Sequence, residues 1–540
     1  MRRSFRPTCG DQAKYQLFTG DAQWFSDNIP CMTACPSHTD ISRYIALIAD
    51  GRYADSYELN REHNVFPGCL GRMCARPCEE ACRRKEVDAP IGIRYLKRVA
   101  SDFRGETRRD VPGPPNGMRA AIIGAGVSGL TTARQLARKG YEVEVFEKFP
   151  VPGGVMWTGV PEWRRLPRDI VMEEVEQILQ LGIRVSFNVE IGKDRSFQSL
   201  VEDYDVVVMA NGCQIATGLG IPGEDLNGVV SGLQFLEDVN LGHKDVWVPK
   251  RVVTVGGGFT SMDCVRTVVR MGADTSIMTY RRSIQEIPVD EIEIEEAEIE
   301  GVEIQFMVSP TRVIGDENGN VTGLEVVRNE LGAPDARGRR RPEPVAGSEY
   351  VIPCEMVLVA IGQKQDPGFL AKRYRTAIAA EFRILDENLR TELPNVWAVG
   401  DFVINPTNFI SAIGEGRRVA ESIDRTGARD PTDRQGHGDH PGSDRICLDP
   451  KHPACRRRGR VVADLDEPSF GVGRRLFPGR SPDDAITSVP DRGMLNTGDT
   501  MLEVEVGYSK PIVRGSQALL AVPSSTSSSM ATGAFLQRMC

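Results

Sequence analysis

The stretch Gly124-Ala125-Gly126-Val127-Ser128-Gly129 constrains the fold more than any other part of the chain. It lies between an apolar run, Ala120 to Ile123, and a run at helical spacing, Leu130 to Arg138. A G-x-G-x-x-G turn between strand and helix lets backbone N–H groups approach a pyrophosphate at a helix N-terminus. The first glycine makes the turn, the second admits the phosphates and the third packs the helix on the sheet. Such a site wants an acid about 20 residues on to hold a ribose hydroxyl. Glu147 meets that need at the end of the alternating run Tyr141 to Glu147. A parallel α/β sheet with a dinucleotide site follows, and both FAD and NAD remain open for it.

A second unit begins at Arg251 to Val255 and leads into Gly256-Gly257-Gly258-Phe259-Thr260-Ser261. Ser261 stands where the third glycine would, and Met262 to Met271 reads as the helix that follows. The next strand, Thr275 to Tyr280, ends in Arg281-Arg282 and not in an acid. An acid there would repel a 2′-phosphate, whereas arginine pairs with it through charge-assisted hydrogen bonds. Gly256, Gly258, Ser261, Arg281 and Arg282 are therefore expected to hold NADPH.

The 540 residues give room for about three or four domains. A net charge of −9 shows no nucleic-acid footprint. No apolar run reaches the ~18 residues of a membrane span. The N-terminus, Met1-Arg2-Arg3-Ser4-Phe5, lacks the apolar core of a signal peptide, so a cytoplasmic protein is expected. Of thirteen cysteines, six fall close together: Cys31, Cys35, Cys69, Cys74, Cys78 and Cys82. Such clustering in a chain without an export signal favours metal or redox chemistry over disulfides. Thiolates gathered from several turns suit zinc or an iron–sulfur cluster. The three-residue gaps and the Cys35-Pro36 step favour iron–sulfur, with zinc as the alternative.

Cys31-x3-Cys35-Pro36, Asn64-Val65-Phe66-Pro67, Gly71-Arg72-Met73-Cys74, Pro77-Cys78-Glu79 and Cys82-Arg83-Arg84 together carry a family resemblance. The pattern resembles the small (beta) subunit of NADPH-dependent glutamate synthase and related electron-input oxidoreductases, including the N-terminal part of dihydropyrimidine dehydrogenase. The resemblance covers about residues 28 to 425. It implies a front end with two 4Fe–4S clusters that carry electrons between flavin and a partner active site. The chain departs from that pattern in two places. A further C-x2-C pair of the family would fall near Gln23 and Ser26, and a non-cysteine ligand position near Leu96 to Arg98 is basic here. One 4Fe–4S cluster is therefore expected, with ligands drawn from Cys31, Cys35, Cys74, Cys78 and Cys82, and with Cys69 as the weaker candidate.

The same resemblance places Pro152-Gly153-Gly154 beside the isoalloxazine of an FAD. Asn395 to Asp401 reads as a strand delivering Gly400-Asp401, which in two-dinucleotide flavoproteins bonds the ribityl chain. Ser411 to Arg417 opens a helix whose N-terminus faces the flavin. A first fingerprint, then a second, then Gly-Asp is the order expected when a nicotinamide domain is inserted into an FAD domain. That order assigns Gly124, Gly126, Gly129, Glu147, Gly153, Gly154, Gly400 and Asp401 to FAD, and the Gly256 site to NADPH.

Other stretches carry less. Gly105 to Gly117 reads as a linker, Glu286 to Glu300 as an exposed acidic helix or strand, and Leu324 to Glu349 as a surface hairpin with a short basic run. Cys213, Cys264 and Cys354 stand alone, which argues against a dithiol in the nucleotide domains. The expected architecture is α/β: a helical iron–sulfur domain (1–105), an FAD-binding domain in two parts (119–217 and 361–425), an inserted NAD(P)H domain (218–360) and a low-order tail (426–540). The expected activity is transfer of electrons from NADPH through FAD and a 4Fe–4S cluster to an electron-acceptor subunit or ferredoxin, in a hetero-oligomer without nucleic acid or membrane. No catalytic acid, base or nucleophile stands out. The alternatives are a ferredoxin–NADP oxidoreductase or input subunit of another reductase, and a non-catalytic nucleotide-binding assembly protein.

Overall fold

Proline and cysteine set the rhythm of the front end. Its helices are α1 (Pro30–Ala34), α2 (Ile41–Ala49), α3 (Tyr53–His63), α4 (Pro67–Met73), α5 (Pro77–Glu80) and α6 (Ile93–Asp102). Three of them open on a proline in the first turn, where the missing N–H costs no hydrogen bond. The cysteines sit at or near the ends of these short helices. Cys35 caps α1, Cys74 caps α4, and Cys82 precedes a 3₁₀ turn at Arg83–Glu86. The computed structural model describes residues 28–163, 166–243, 245–334, 340–370, 389–404 and 407–427. All of them lie within one compact unit, Met1–Arg457.

The chain then forms β1 (Arg119–Ile123), α7 (Val127–Arg138), β2 (Glu142–Glu147), α8 (Val155–Thr158), α9 (Arg168–Leu179), β3 (Arg184–Phe187), α10 (Phe197–Asp203), β4 (Val206–Met209) and β5 (Cys213–Ala216). A second run contains β6 (Val229–Ser231), α11 (Gly232–Asn240), β7 (Arg251–Val255), α12 (Phe259–Arg270), β8 (Thr275–Tyr280), α13 (Glu291–Ile299) and β9 (Glu303–Phe306). An antiparallel layer follows, with β10 (Val308–Gly315), β11 (Val321–Pro334), β12 (Arg340–Pro344) and β13 (Tyr350–Pro353). The order ends with β14 (Met356–Val359), β15 (Gln363–Gln365), β16 (Val396–Ala398), α14 (Asp401–Ile404) and α15 (Phe409–Gly427).

Two parallel sheets organise these elements. The first has the order β16-β4-β1-β2-β3, and the second β6-β14-β7-β8-β9. Strand β16 pairs with β4 through Val396↔Val207 and Ala398↔Met209, so the first sheet is completed only after the second has been built. The apolar runs follow from this architecture. Strands β1 and β4 have helices or sheet on both faces, and Ala120 to Ile122 and Val207 to Met209 are wholly buried. In each sheet the chain reverses direction of growth beside the first strand, at β1/β4 and at β7/β14, which opens a crevice at the strands' carboxyl ends.

Several elements differ from their sequence reading. Helix α9 starts at Arg168, because Pro167 fixes the extended turn just before it. Strand β3 ends at Phe187, where Asn188 turns left-handed (φ 56°). The Gly105 to Gly117 segment is pinned along its length: the Asp110 carboxylate accepts Arg134 Nε at 2.6 Å and Arg61 Nη2 at 2.9 Å. The acidic stretch forms α13, and its acids are not simply solvated. Glu293, Glu296 and Glu300 all pair with Arg266, whose side chain is 6% exposed. The basic positions 337–339 and the tail beyond 427 lie outside the described residues. Among the described residues no helix is long and apolar enough to cross a membrane.

Candidate functional site

The Gly124 turn lies in the crevice between β1 and β4. Gly124 has φ +102°, and a side chain there would meet the Ala210 carbonyl at 2.7 Å. A side chain on Gly129 would collide with the Gly124 carbonyl, so α7 packs on the strand as closely as backbone allows. Gly126 has a different surrounding: an added Cβ would find only Gly154 Cα, at 3.9 Å. Open space thus stands before the N-terminus of α7, where the N–H groups of the first turn need a partner. Gly153 donates its N–H to the Ala125 carbonyl at 2.8 Å and brings Gly154 against the turn.

Glu147, Asn211, Asp401, Phe409 and Ala412 share this cavity with Gly124, Gly126 and Gly154. The Glu147 carboxylate accepts the Ala125 N–H at 2.7 Å and the Phe149 N–H at 2.9 Å. Burial raises its pKa, and these N–H donors pull it part of the way back. Asp401 accepts both Thr407 N–H (3.0 Å) and hydroxyl (2.9 Å), and burial raises its pKa too. Gly400, at φ +72°, holds Asp401 in place by donating to Glu415 Oε2 at 2.8 Å. The Asn211 side-chain oxygen is buried without a hydrogen-bond partner. An orphaned acceptor on the wall and a glycine-lined approach to a helix N-terminus fit an FAD.

The second crevice is lined by Gly256, Gly257, Gly258, Thr260, Arg281 and Arg282. Nothing lies within 4 Å of the Cβ position on Gly258, which leaves the phosphates their approach. Ser261 is buried and donates its hydroxyl to the Ala360 carbonyl at 3.2 Å, so it ties α12 to the end of β14 where a third glycine would only pack. Gly257 carries a constraint that the spacing rule does not reveal. A side chain there would collide with the Tyr280 ring, just before the two arginines. Arg282 Nε is braced by the Arg340 carbonyl at 3.1 Å. Two guanidinium groups on the rim of a glycine-lined crevice fit the 2′-phosphate of NADPH.

At the front end, helices α1 and α5 pack together and bring the thiols of their two turns near one another. Cys35, Cys74, Cys78 and Cys82 are buried, Cys31 is half-buried, and none is in a disulfide. Burial raises the Cys31 thiol, and the neighbouring Cys82 and Cys35 add to that rise. Burial pushes the Cys78 thiol up to about 12, with Cys74 and Cys35 adding to the rise and Lys97 opposing it. Cys69 is fully buried against Glu174. No three described His, Cys, Asp or Glu side chains converge on a single ion. A cubane cluster asks for less convergence, because each thiolate binds a different iron; buried, unpaired thiols from three turns fit it. Cys213, Cys264 and Cys354 are buried singly in the nucleotide domains, with no dithiol among the described residues.

The thiol region and the first cavity share a wall. The Pro36 carbonyl, one residue after Cys35, lies against Gly414 of α15. Arg417 Nη1 donates to the Ser37 carbonyl at 2.6 Å. Phe409 and Ala412, in the first turn of the same helix, line the Gly124 cavity. Sequence reasoning found α15 but not this contact, and it missed Glu174, whose partners Gly68 and Cys69 lie far away in the chain.

Comparison with known proteins accords with both halves. Residues 118–416 match the model of the pyridine nucleotide-disulphide oxidoreductase family, and residues 25–109 that of the dihydropyrimidine dehydrogenase domain II, 4Fe-4S cluster. The NADP(+)-dependent formate dehydrogenase subunit beta of Moorella thermoacetica is 41% identical over 432 residues, 75% of this chain and 61% of that protein. The glutamate synthase [NADPH] small chain of Escherichia coli K12 is 34% identical over 440 residues, 78% of this chain and 92% of that protein. Against formate dehydrogenase subunit beta the chain thus spans about three fifths of the relative's length. Among solved structures, FprA from Mycobacterium tuberculosis superposes with a TM-score of 0.52 at 20% identity, over 61% of this chain and 88% of that one, a likeness of fold.

Proposed function

The chain belongs to the family of the glutamate synthase small chain, pyridine nucleotide oxidoreductases with an iron–sulfur front domain, and from that premise we propose that it passes electrons from NADPH to a partner protein. Its cofactors are FAD, NADPH and a 4Fe–4S cluster. When bound, FAD accepts a hydride from NADPH and a 4Fe–4S cluster carries electrons one at a time.

The residues of this chain supply position and charge for that chemistry. Gly124, Gly126 and Gly129 would seat the FAD pyrophosphate at the N-terminus of α7, with Glu147 bracing the turn from below through Ala125. Asp401, fixed by Thr407, would meet the flavin's sugar chain. Gly256 and Gly258 would seat NADPH, with Arg281 and Arg282 taking its 2′-phosphate. The iron ligands would be drawn from Cys31, Cys35, Cys74, Cys78 and Cys82. The single observation that carries the route is the shared wall: Pro36 rests on Gly414 of the helix whose first turn lines the flavin cavity.

The partner is an electron-accepting protein subunit, and the complex a hetero-oligomer. Relatives named as subunits of formate dehydrogenase and of an NADPH-Fe(3+) oxidoreductase support that reading. A catalytic role is favoured over a purely structural one because the match is to an oxidoreductase family. The test is anaerobic addition of NADPH to the full chain. The flavin band should bleach and a paramagnetic iron–sulfur signal should follow. If the signal rises with dithionite but never with NADPH, the proposed route is wrong.

A further inference from the structure

Asparagine is a poor strand former, and burying its amide is costly unless the polar atoms find partners. Asn329 nevertheless sits within β11, where it continues the buried positions of Val326 and Val327 and is 5% exposed. Its side-chain nitrogen donates to the Ser309 hydroxyl at 2.8 Å and to the Arg281 carbonyl at 3.0 Å. Its side-chain oxygen is buried without a hydrogen-bond partner among the described residues. The amide therefore serves as a donor, and one of its N–H groups is directed at the turn that carries the two arginines.

The rest of that turn is held from the same side. Met307, left-handed at φ 60°, links β9 to β10. Its N–H donates to the Arg282 carbonyl at 3.1 Å, and its own carbonyl accepts the Asn329 N–H at 2.7 Å. Arg282 Nε donates to the Arg340 carbonyl at 3.1 Å, and Arg340 belongs to β12, which pairs with the far end of β11 through Pro334↔Arg340. Both backbone carbonyls of Arg281-Arg282 and one guanidinium are thus tied to the antiparallel layer. Asn329 bonds Arg281 directly and Arg282 through Met307. Arg281, Arg282 and Ser309 line the second crevice, and Asn329 is not part of that lining.

We propose that Asn329 determines specificity at the second crevice: by fixing the Arg281 carbonyl it aims the two arginines at the 2′-phosphate of NADPH. This rests on the reading above that Arg281 and Arg282 take that phosphate. An arginine on a loose turn loses freedom when it closes on an anion, and one on a turn already fixed by hydrogen bonds loses less. The gain goes to the nucleotide that carries the 2′-phosphate, because that phosphate is the group the arginines bind. Asn329 is a positioning residue and acts through them.

The experiment compares the full wild-type chain with Asn329→Leu, with the double variant Arg281→Ala, Arg282→Ala, and with the triple variant that combines them. Calorimetry measures binding of NADP+ and NAD+, which differ only in the 2′-phosphate, to the oxidised protein, where neither reacts. Asn329→Leu should weaken NADP+ binding about ten-fold and NAD+ binding by less than about three-fold, with flavin content unchanged. In the background without the arginines the same substitution should change NADP+ binding by less than about two-fold, since nothing is left for Asn329 to position. Equal weakening of NADP+ and NAD+ overturns the proposal, as does unchanged NADP+ binding. An undiminished effect in the background without the arginines overturns it too. Should Asn329→Leu lose its flavin or fail to fold, Asn329→Ala is read in its place; the same failure in both marks a core residue and overturns the proposal. If the double variant binds NADP+ as tightly as wild type, the 2′-phosphate reading falls, and this inference with it. That outcome is distinct from arginines that bind the phosphate without help from Asn329.

Discussion

The Glu174 carboxylate accepts the backbone N–H of Gly68 at 2.6 Å. It also accepts the Cys69 N–H at 3.0 Å and the Tyr57 hydroxyl at 3.1 Å, with only 1% of the residue exposed. One acid on α9, beside the first dinucleotide sheet, thus caps the thiol-bearing helix α4. A negative group at a helix N-terminus is favourable, and here it also neutralises three buried donors. Glu174→Ala removes the acceptor for all three at once. Unfolding in urea should show a loss of about 3 kcal/mol or more. A loss below about 1 kcal/mol would show that water or a neighbour replaces the carboxylate.

Asp110 makes the corresponding tie through charge, and it has a pH signature. Burial pushes its carboxyl up, but the hydrogen bonds and charge of Arg134, with Arg61 beside it, hold it below the usual value of 3.8. A carboxyl depressed in the folded state stabilises above its unfolded pKa, and that stabilisation is lost as pH falls through the folded value. Asp110→Asn should therefore cost about 3 kcal/mol at neutral pH, because Arg134 and Arg61, with side chains 1% and 2% exposed, lose their shared counter-charge. The variant's stability should also fall less steeply than wild type below about pH 4. Parallel slopes on the acid side would remove Asp110 from the account.

Local chemistry was readable in the chain, and chemistry made by packing was not. The Gly124 and Gly256 turns follow from glycine spacing between a strand and a helix, and the insertion of one sheet into the other follows from motif order. Strand β16 is only three residues long, yet its delivery of Asp401 could be read because Gly-Asp ends an apolar run. Glu174 has no such signal: its partners are 105 and 106 residues away in sequence. Asp110 lies in a Gly- and Pro-rich stretch that spells linker, and nothing in the stretch names Arg134. The acids of α13 read as solvated because Arg266 is on another helix.

The six front-end cysteines should divide by function. Cys69 is fully buried beside Glu174, which its thiol meets. Cys69→Ser should keep wild-type iron and sulfide, since its thiol meets a carboxylate and not the shared pocket. Cys74→Ser and Cys78→Ser should each lose most of the iron, because a hydroxyl is a poor replacement for a thiolate on iron. Iron analysis of anaerobically purified variants separates these outcomes. Full iron in Cys78→Ser, or none in Cys69→Ser, would require the ligand set to be redrawn.

The two arginines after β8 should decide between the nicotinamide cofactors. Arg281 and Arg282 line the second crevice, and hydrogen bonds to a charged partner contribute about 1.5–3 kcal/mol. Replacing both with alanine should raise KM for NADPH by roughly ten- to a hundred-fold while leaving NADH within about three-fold. A KM for NADPH that does not move, or an equal rise for NADH, would place the 2′-phosphate elsewhere.

The final prediction concerns the wall between the thiol region and the flavin cavity. Gly414 sits under the Pro36 carbonyl, so close that a methyl group there would collide with it, and a Cβ would lie 2.8 Å from the Pro36 carbonyl carbon. The turn of α15 that lines the Gly124 cavity, at Phe409 and Ala412, lies one turn earlier. Gly414→Val therefore strains the Pro36 contact while leaving the cavity lining unchanged. Overpacking of this kind costs about 1–3 kcal/mol, which the structure can relieve by lifting the Cys35-Pro36-Ser37 segment away from the helix. Flavin content and the rate of flavin bleaching by NADPH should stay near wild type, while appearance of the reduced iron–sulfur signal in rapid-freeze EPR should slow. Arg417→Ala, which removes the 2.6 Å hydrogen bond to the Ser37 carbonyl, should slow the same step without adding bulk. If both variants pass electrons onward at the wild-type rate, this wall is not on the route between the two cofactors. If flavin bleaching slows as well, Gly414 acts on the nicotinamide side, and the two half-reactions are not separated by this helix.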